Sequence, residues 1–376
     1  MLSEFRHAHR PAARDRLPQP GGGLTVAVAL VVGPTGAIGA RLVEALARRG
    51  GWTVYGLSRT APAGAASFVH VAADLLDPAS LRAALKRTEG VTHVFYAARA
   101  AHGESGVEDV PLNVGMLANV VEAAQAASPG LAHVHLVEGT KWYGLHLGPY
   151  RTPAEEDDPR HMPPNFYYDQ QDALAAMQRG RSWSWSASRP NVICDFDPTR
   201  ARNLTSVIGA YAAICRELDV PFDFPGTELG FGTLTELTDG AHCAEAILWL
   251  SGLTSGVNRA FNVTNGDAFR WRYMWPRLAQ MLGVRCGEPR NLRLGAWMAD
   301  KEDVWARIVA RHGLDPRPLS QMALWAFGDF VFRQDWDVLS NLTRLRQTGF
   351  AASLDSAQMF EAQFDAYREA RLLPRL

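Results

Sequence analysis

The stretch VAVALVVGPTGAIGARLVEALARRGG, residues 26–51, decides the fold. Its first seven residues form an unbroken apolar run, the pattern of a strand buried on both faces. Gly33-Pro34-Thr35-Gly36-Ala37-Ile38-Gly39 follows with the spacing G-x-x-G-x-x-G, after which Ile38, Leu42 and Leu46 recur every four residues on one helix face. Glycine is needed where a backbone turns tightly and approaches a pyrophosphate, and the amides at a helix start offer positive dipole to that anion. Strand, glycine turn and helix in this order predict a dinucleotide cradle built from Gly33, Thr35, Gly36, Ala37, Ile38 and Gly39.

The alternation continues outward. Strands are expected at 52–58, 67–75, 91–98 and 131–139, and helices after Asp77-Pro78, where a cap precedes a proline at the first helical position, and across 108–127. Strands separated by helices imply right-handed βαβ units. The expected fold class is therefore α/β, a Rossmann-type doubly wound parallel sheet with a smaller C-terminal substrate-binding lobe. Residues 1–24 carry no apolar period and read as a disordered N-terminal extension, 25–195 as the dinucleotide-binding domain and 196–376 as the lobe, with elements such as 182–188 returning to the sheet. Segments 201–218 and 296–313 read as helical, and 220–232 as a loop punctuated by proline and glycine.

Composition narrows the function. Across 376 residues, 38 basic side chains nearly cancel 39 acidic ones, so the basic excess of a nucleic-acid binder is missing. No apolar run reaches the length of a membrane-spanning helix. Cys194, Cys215, Cys243 and Cys286 are far apart and form no C-x-x-C pair, which disfavours a disulfide scaffold or structural zinc and fits a cytoplasmic location. His133 and His135 share a strand face, but nothing nearby completes a metal set, so strand packing is the simpler reading and no metal is expected.

The end of the second strand bears on which dinucleotide binds. An NAD site places an acidic residue there to hold the ribose hydroxyls, whereas this chain has Ser58-Arg59. A guanidinium offers a fork to a 2′-phosphate that a carboxylate would repel, so the expected cofactor is NADPH. Asp74 and Leu75, ending the third strand, are placed to flank the adenine.

The pairing Y-x-x-x-K on one helix is absent: Gln171 stands four residues after Tyr167, and Asp172 four after Tyr168. An assisting lysine must come from elsewhere, and only Lys86, Lys141 and Lys301 exist. Lys141 follows the strand 131–139 at the C-terminal edge of the sheet, where open α/β folds bind ligands. On spacing alone, Tyr167 could equally be a packed aromatic and Lys141 a solvated charge. Tyr143 is a second candidate hydroxyl that could instead line the pocket, and Trp142 and Phe231 are candidates for a hydrophobic substrate wall.

With GTKWYG, NFYYDQQD, SWSASRPNVI, NLTSVIGAYAAICREL, AFNVTNGDAFRWRYMWPRLAQMLGV and KEDVWARIVARHGL in view, nearly everything after residue 25 resembles the progesterone 5β-reductase/iridoid synthase-like (PRISE) branch of the short-chain dehydrogenases. The resemblance implies that Lys141, in the family's T-G-x-K-H-Y motif, and Tyr167, the first tyrosine of N-F-Y-Y, are the catalytic pair. It implies that Pro190, Asn191 and Val192 lie beside the nicotinamide. Three positions depart from the motifs: Glu138 replaces threonine, Trp142 histidine and Asn191 glycine.

The implied activity is NADPH-dependent 1,4-reduction of small hydrophobic enones or enals, such as Δ4-3-ketosteroids, through an enolate stabilised by the phenol and the amine. Carbonyl reduction, an epimerase or dehydratase, and a non-catalytic NADP(H) sensor are the competing readings. The missing Y-x-x-x-K and a neutral, aromatic pocket speak against a sugar-nucleotide enzyme, and the presence of both tyrosine and lysine speaks against a sensor. A homodimer is left open.

Overall fold

The computed structural model describes residues 27–62, 66–88, 90–100 and 108–376. The N-terminal extension expected over 1–24 lies outside these residues. The apolar run becomes β1, Ala27–Val32, every residue of which is buried. It is followed by α1 (Ala37–Arg49), β2 (Trp52–Ser58), β3 (Val69–Ala72), α2 (Pro78–Leu85), β4 (His93–Tyr96), α3 (Val110–Ala127), β5 (His133–Val137), α4 (Phe166–Gln178) and β6 (Ser184–Pro190). A further strand, Arg259–Val263, joins late in the chain. The sheet therefore runs Arg259–Val263, β6, β5, β4, β1, β2, β3, and every pairing is parallel.

The chain leaves the β3 edge and restarts at β4, so the strand order reverses between β1 and β4. Crossover helices diverge to opposite faces at such a point and leave a crevice above the strand ends. One face is covered by α2, α3 and α4 through Leu81, Leu117, Val120 and Leu174. The other is covered by α1 and the helix Gly240–Ser251 through Leu42, Leu46 and Ile247. Leu42 and Leu46 are fully buried, each stabilising by about 1.5–3 kcal/mol through removal from water. Period-four spacing in the sequence and burial in the fold thus coincide.

The strands are shorter than the apolar runs suggest. Residues 67–75 yield only Val69–Ala72 and 131–139 only His133–Val137, because the flanking residues turn away into loops at the strand ends. A second core lies in the C-terminal half, around α5 (Leu204–Glu217), with Trp271, Trp275, Trp305, Phe332, Phe360 and Phe364. Trp275 is fully buried, stacks on Phe222 at 4.2 Å and donates from Nε1 to the Phe222 carbonyl at 2.8 Å. The segment expected to be a loop, 220–232, contains a short strand, Phe222–Phe224, and one helical turn, Glu228–Gly232. Its aromatic residues are drawn into this core, overriding the proline and glycine. Among the described residues no helix is long and apolar enough to cross a membrane.

Candidate active site

A cavity of about 830 Å³ opens above the strand ends and extends from the glycine turn to the C-terminal half. At one end Gly33 adopts φ +79°, and the turn closes through Gly36 N–H to the Gly33 carbonyl at 3.0 Å. A Cβ on Gly39 would lie 2.0 Å from the Gly33 carbonyl oxygen, so only glycine lets α1 pack this closely on the turn. Gly36 precedes α1 without a side-chain cap and α1 has no acidic residue in its first turn. Its first amides are left for an anion. Gly33, Thr35, Gly36, Ala37 and Ile38 all line the cavity, whereas Gly39 acts from beneath.

Ser58, Arg59, Asp74 and Leu75 line the same end. The Ser58 hydroxyl is held by the Thr60 carbonyl at 2.9 Å and by His70. Asp74 accepts from the Leu76 amide at 3.0 Å. Arg59 is exposed and has no acidic partner among the described residues. An extended dinucleotide fits this end: a cradle shaped by close backbone contact, helix amides without a side-chain cap, and a guanidinium with no acidic partner among the described residues.

The other end is built around β5 and α4. After β5 the chain makes a tight turn, Thr140–Tyr143, that presents Lys141 to the cavity and turns Trp142 and Tyr143 inward. Asn165 joins this turn to α4: it caps the helix by accepting from the Tyr167 amide at 3.2 Å and donates from Nδ2 to the Lys141 carbonyl at 2.8 Å. Lys141 and Tyr167, 26 positions apart, thereby reach one cavity. Neither the cap nor its second bond was expected from spacing.

Three phenols lie close together, and their partners distinguish them. Tyr168 donates to the Trp142 carbonyl at 2.5 Å, and Tyr143 donates to Asn262 at 2.5 Å while accepting from Arg189 at 3.1 Å. Tyr167 alone of the three faces the cavity, and its hydroxyl has no hydrogen-bond partner among the described residues. The hydroxyl lies against Gly139, where an added Cβ would be 3.4 Å from the phenol oxygen. Burial pushes its pKa well above the usual phenol value, opposed first by Arg99 and also by Arg202, and reinforced by Glu108 and Glu138. At neutral pH it is a neutral donor.

Lys141, which lines the same cavity, is paired with a carboxylate. Its ammonium donates to Glu108 at 2.8 Å, and Arg99 approaches the same carboxylate oxygen at 3.6 Å. The expectation of a neutral, aromatic substrate pocket is therefore corrected: Arg99, Lys141 and Arg202 line this end together with Phe327 and Phe330. Arg99 follows β4 at the same edge that singled out Lys141, and that rule would have found it.

The expected substrate wall is also corrected. Trp142, Tyr143 and Phe231 do not line this cavity. Trp142 is buried beneath the Arg189 guanidinium, 3.6 Å from its ring, and edge-on to Tyr168. Phe231 packs on Phe224 in the C-terminal core. Pro190, Asn191 and Val192 do line the cavity. The Asn191 side chain accepts from Thr140 at 3.1 Å and donates to the Glu236 carbonyl at 2.7 Å, clamping two loops where the family motif has glycine.

Glu138, the other departure, is buried with Arg189 at 2.8 Å, and its second oxygen has no hydrogen-bond partner among the described residues. Burial outweighs the guanidinium and holds this carboxyl up at about 7. His133 and His135 are buried, and their ring nitrogens meet the hydroxyls of Ser184, Ser186 and Ser188 at 2.8–3.0 Å. Burial keeps both rings neutral, so they are strand packing.

Residues 66–374 match the family described as the PRISE-like Rossmann-fold domain. The chain belongs to this family. It is 32% identical to a 3-oxo-Δ(4,5)-steroid 5-beta-reductase of Arabidopsis thaliana over 92% of this chain and 93% of that protein. It is equally 32% identical to an (S)-8-oxocitronellyl enol synthase of Antirrhinum majus, with the same coverage. A short chain dehydrogenase of Penicillium aethiopicum is 34% identical over 80% of this PRISE chain and 84% of its own length. Among solved structures, the Thermus thermophilus UDP-glucose 4-epimerase in complex with NAD superposes with a TM-score of 0.63 at 18% identity, covering 91% of this chain and 99% of that one. That likeness concerns the fold, a doubly wound sheet shared across short-chain dehydrogenases.

Proposed function

We propose that this PRISE protein is an NADPH-dependent reductase of activated C=C bonds, adding hydride to the β-carbon of an enone or enal. The observation that carries the proposal is the Tyr167 hydroxyl, which faces the cavity that Lys141 also lines and has no hydrogen-bond partner among the described residues. Relatives named as a steroid 5-beta-reductase and as 8-oxocitronellyl enol synthases support the same reading.

The glycine turn together with Pro190, Asn191 and Val192 would hold NADPH, which would supply the hydride. Arg59 and the lack of an acidic residue beside it support NADPH over NADH. Tyr167 donates a hydrogen bond to the substrate carbonyl oxygen. Its raised pKa means that it keeps its proton and acts as a fixed donor while negative charge builds on that oxygen. Arg99, Lys141 and Arg202 outnumber Glu108, so the field at this end favours an enolate over a neutral ketone. The α-carbon is protonated from water at the open mouth.

The test is NADPH oxidation with 2-cyclohexen-1-one, progesterone and 8-oxogeranial, with products identified by mass spectrometry. Saturated carbonyl products are expected. An allylic alcohol with its C=C intact would overturn the proposal in favour of carbonyl reduction.

A further inference from the structure

Among the described residues four arginines line the cavity: Arg59, Arg99, Arg200 and Arg202. Arg200 is neutralised by Asp197 at 2.7 Å and donates to the Thr35 carbonyl, bracing the glycine turn. Arg59 stands at the end assigned to a 2′-phosphate. Arg202 lines the cavity beside Phe327 and has no acidic side chain within ion-pair distance among the described residues. Its guanidinium lies 4.6 Å over the Phe327 ring.

Arg202 immediately precedes Asn203, the cap of α5, so the positive end of a 14-residue helix lies beside it. Arg99 and Lys141 share a single carboxylate, Glu108. Arg202, Arg99 and Tyr167 line one cavity, and burial, with Arg99 second, pushes the Arg202 guanidinium down. Among the described residues three cations here, Arg99, Lys141 and Arg202, meet one carboxylate, Glu108, and such an excess of positive charge beside a cavity suits an anion that arrives with the ligand. Phe327 packs against Arg202, and Phe330, Met116 and Leu145 line the same cavity, so that ligand is otherwise apolar.

We infer that Arg202, with Arg99, is a carboxylate-binding subsite, and that the substrate is an apolar enone bearing a carboxylate. The inference rests on the reductase reading for the word substrate, but the subsite itself does not depend on turnover. A planar guanidinium takes a carboxylate through two parallel hydrogen bonds, and the Phe327 ring packs against this one at 4.6 Å.

The probes are (3-oxocyclohex-1-enyl)acetate, -propanoate and -butanoate, each compared with its methyl ester. At one chain length or more, kcat/KM for the acid should exceed that for the ester by about 10–100-fold, the range of a charge-assisted hydrogen bond. Raising the salt concentration should shrink this preference. Arg202→Met should bring the acid-to-ester ratio below about threefold, and Arg202→Lys should restore part of it, because the charge returns without the fork. Esters preferred or equal at every length would overturn the inference. So would an Arg202→Met variant whose loss lies in NADPH affinity, since the guanidinium would then serve the cofactor.

If no member of the panel is reduced, the reductase reading fails by itself. Calorimetry of 3-(3-oxocyclohexyl)propanoate binding to the NADP+-loaded protein then decides the subsite. Binding to the wild type that weakens at least about tenfold in Arg202→Met upholds it. Equal binding to both, or none to either, overturns it.

Discussion

The two ends of the cavity are built by different means. The cofactor end is mostly main chain from a contiguous segment: one glycine turn, the first amides of α1, and the residues ending β2 and β3. The substrate end is side chains converging from distant positions, Arg99, Lys141, Tyr167, Arg202 and Phe327, held in place by bonds such as that from Asn165 to the Lys141 carbonyl. A main-chain site tolerates no added atom and is indifferent to most side-chain chemistry. A convergent site tolerates backbone variation but depends on each functional group.

The largest effect should come from forcing an atom into the main-chain end. Gly39→Ala places a Cβ 2.0 Å from the Gly33 carbonyl oxygen, and neither backbone can give way without opening the turn. Loss of two or more charge-assisted hydrogen bonds to the pyrophosphate should weaken NADPH by about 100-fold or more, read by fluorescence titration. If affinity were retained, the cradle would not be main-chain in character and the contrast would break.

At the other end a single oxygen is decisive. Tyr167→Phe should lower kcat by about 10²–10³, the cost of removing one donor to a developing oxyanion, with NADPH affinity unchanged. Unaltered turnover would remove Tyr167 from the mechanism. Between these extremes, Arg59→Glu should shift the NADPH-to-NADH preference in kcat/KM by about 10–100-fold toward NADH, since a carboxylate repels the 2′-phosphate and can hold the ribose hydroxyls. An unaltered preference would refute the phosphate assignment.

The same contrast explains what could be read from the sequence. β1, the glycine turn and α1 were legible because their requirements are local: an apolar run, glycine spacing and a four-residue period lie within 26 positions. Lys141 and Tyr167 were legible only as members of recurring motifs. Arg202 was not legible at all, because nothing near Ala201-Arg202-Asn203 shows that Phe327, more than a hundred residues later, will lie under its guanidinium. Trp142 was misread for a related reason. Trp142 and Tyr143 both turn inward from Thr140–Tyr143, and the sequence does not say that Arg189 will cover the indole.

Glu138 lies in the wall between the two ends and sharpens the comparison most gently. Its carboxyl is held at about 7 against an ordinary 4.5, by burial that Arg189 offsets only in part. The folded protein therefore binds this proton more tightly than the unfolded chain does. The stability it contributes is fully present below about pH 4.5, declines as pH rises, and is gone above about pH 7. Denaturant melts should show the wild type losing stability across that window. Glu138→Gln, which imitates the protonated acid, should match the wild type near pH 5 and decline less toward pH 8. A residual slope is expected because Glu236, buried against Ser340 and Thr264, is also raised to about 7. Were the variant less stable than the wild type at both pH values, Glu138 would be acting as the ionised partner that Arg189 requires. The wall would then be held by an ion pair and not by a carboxyl that keeps its proton.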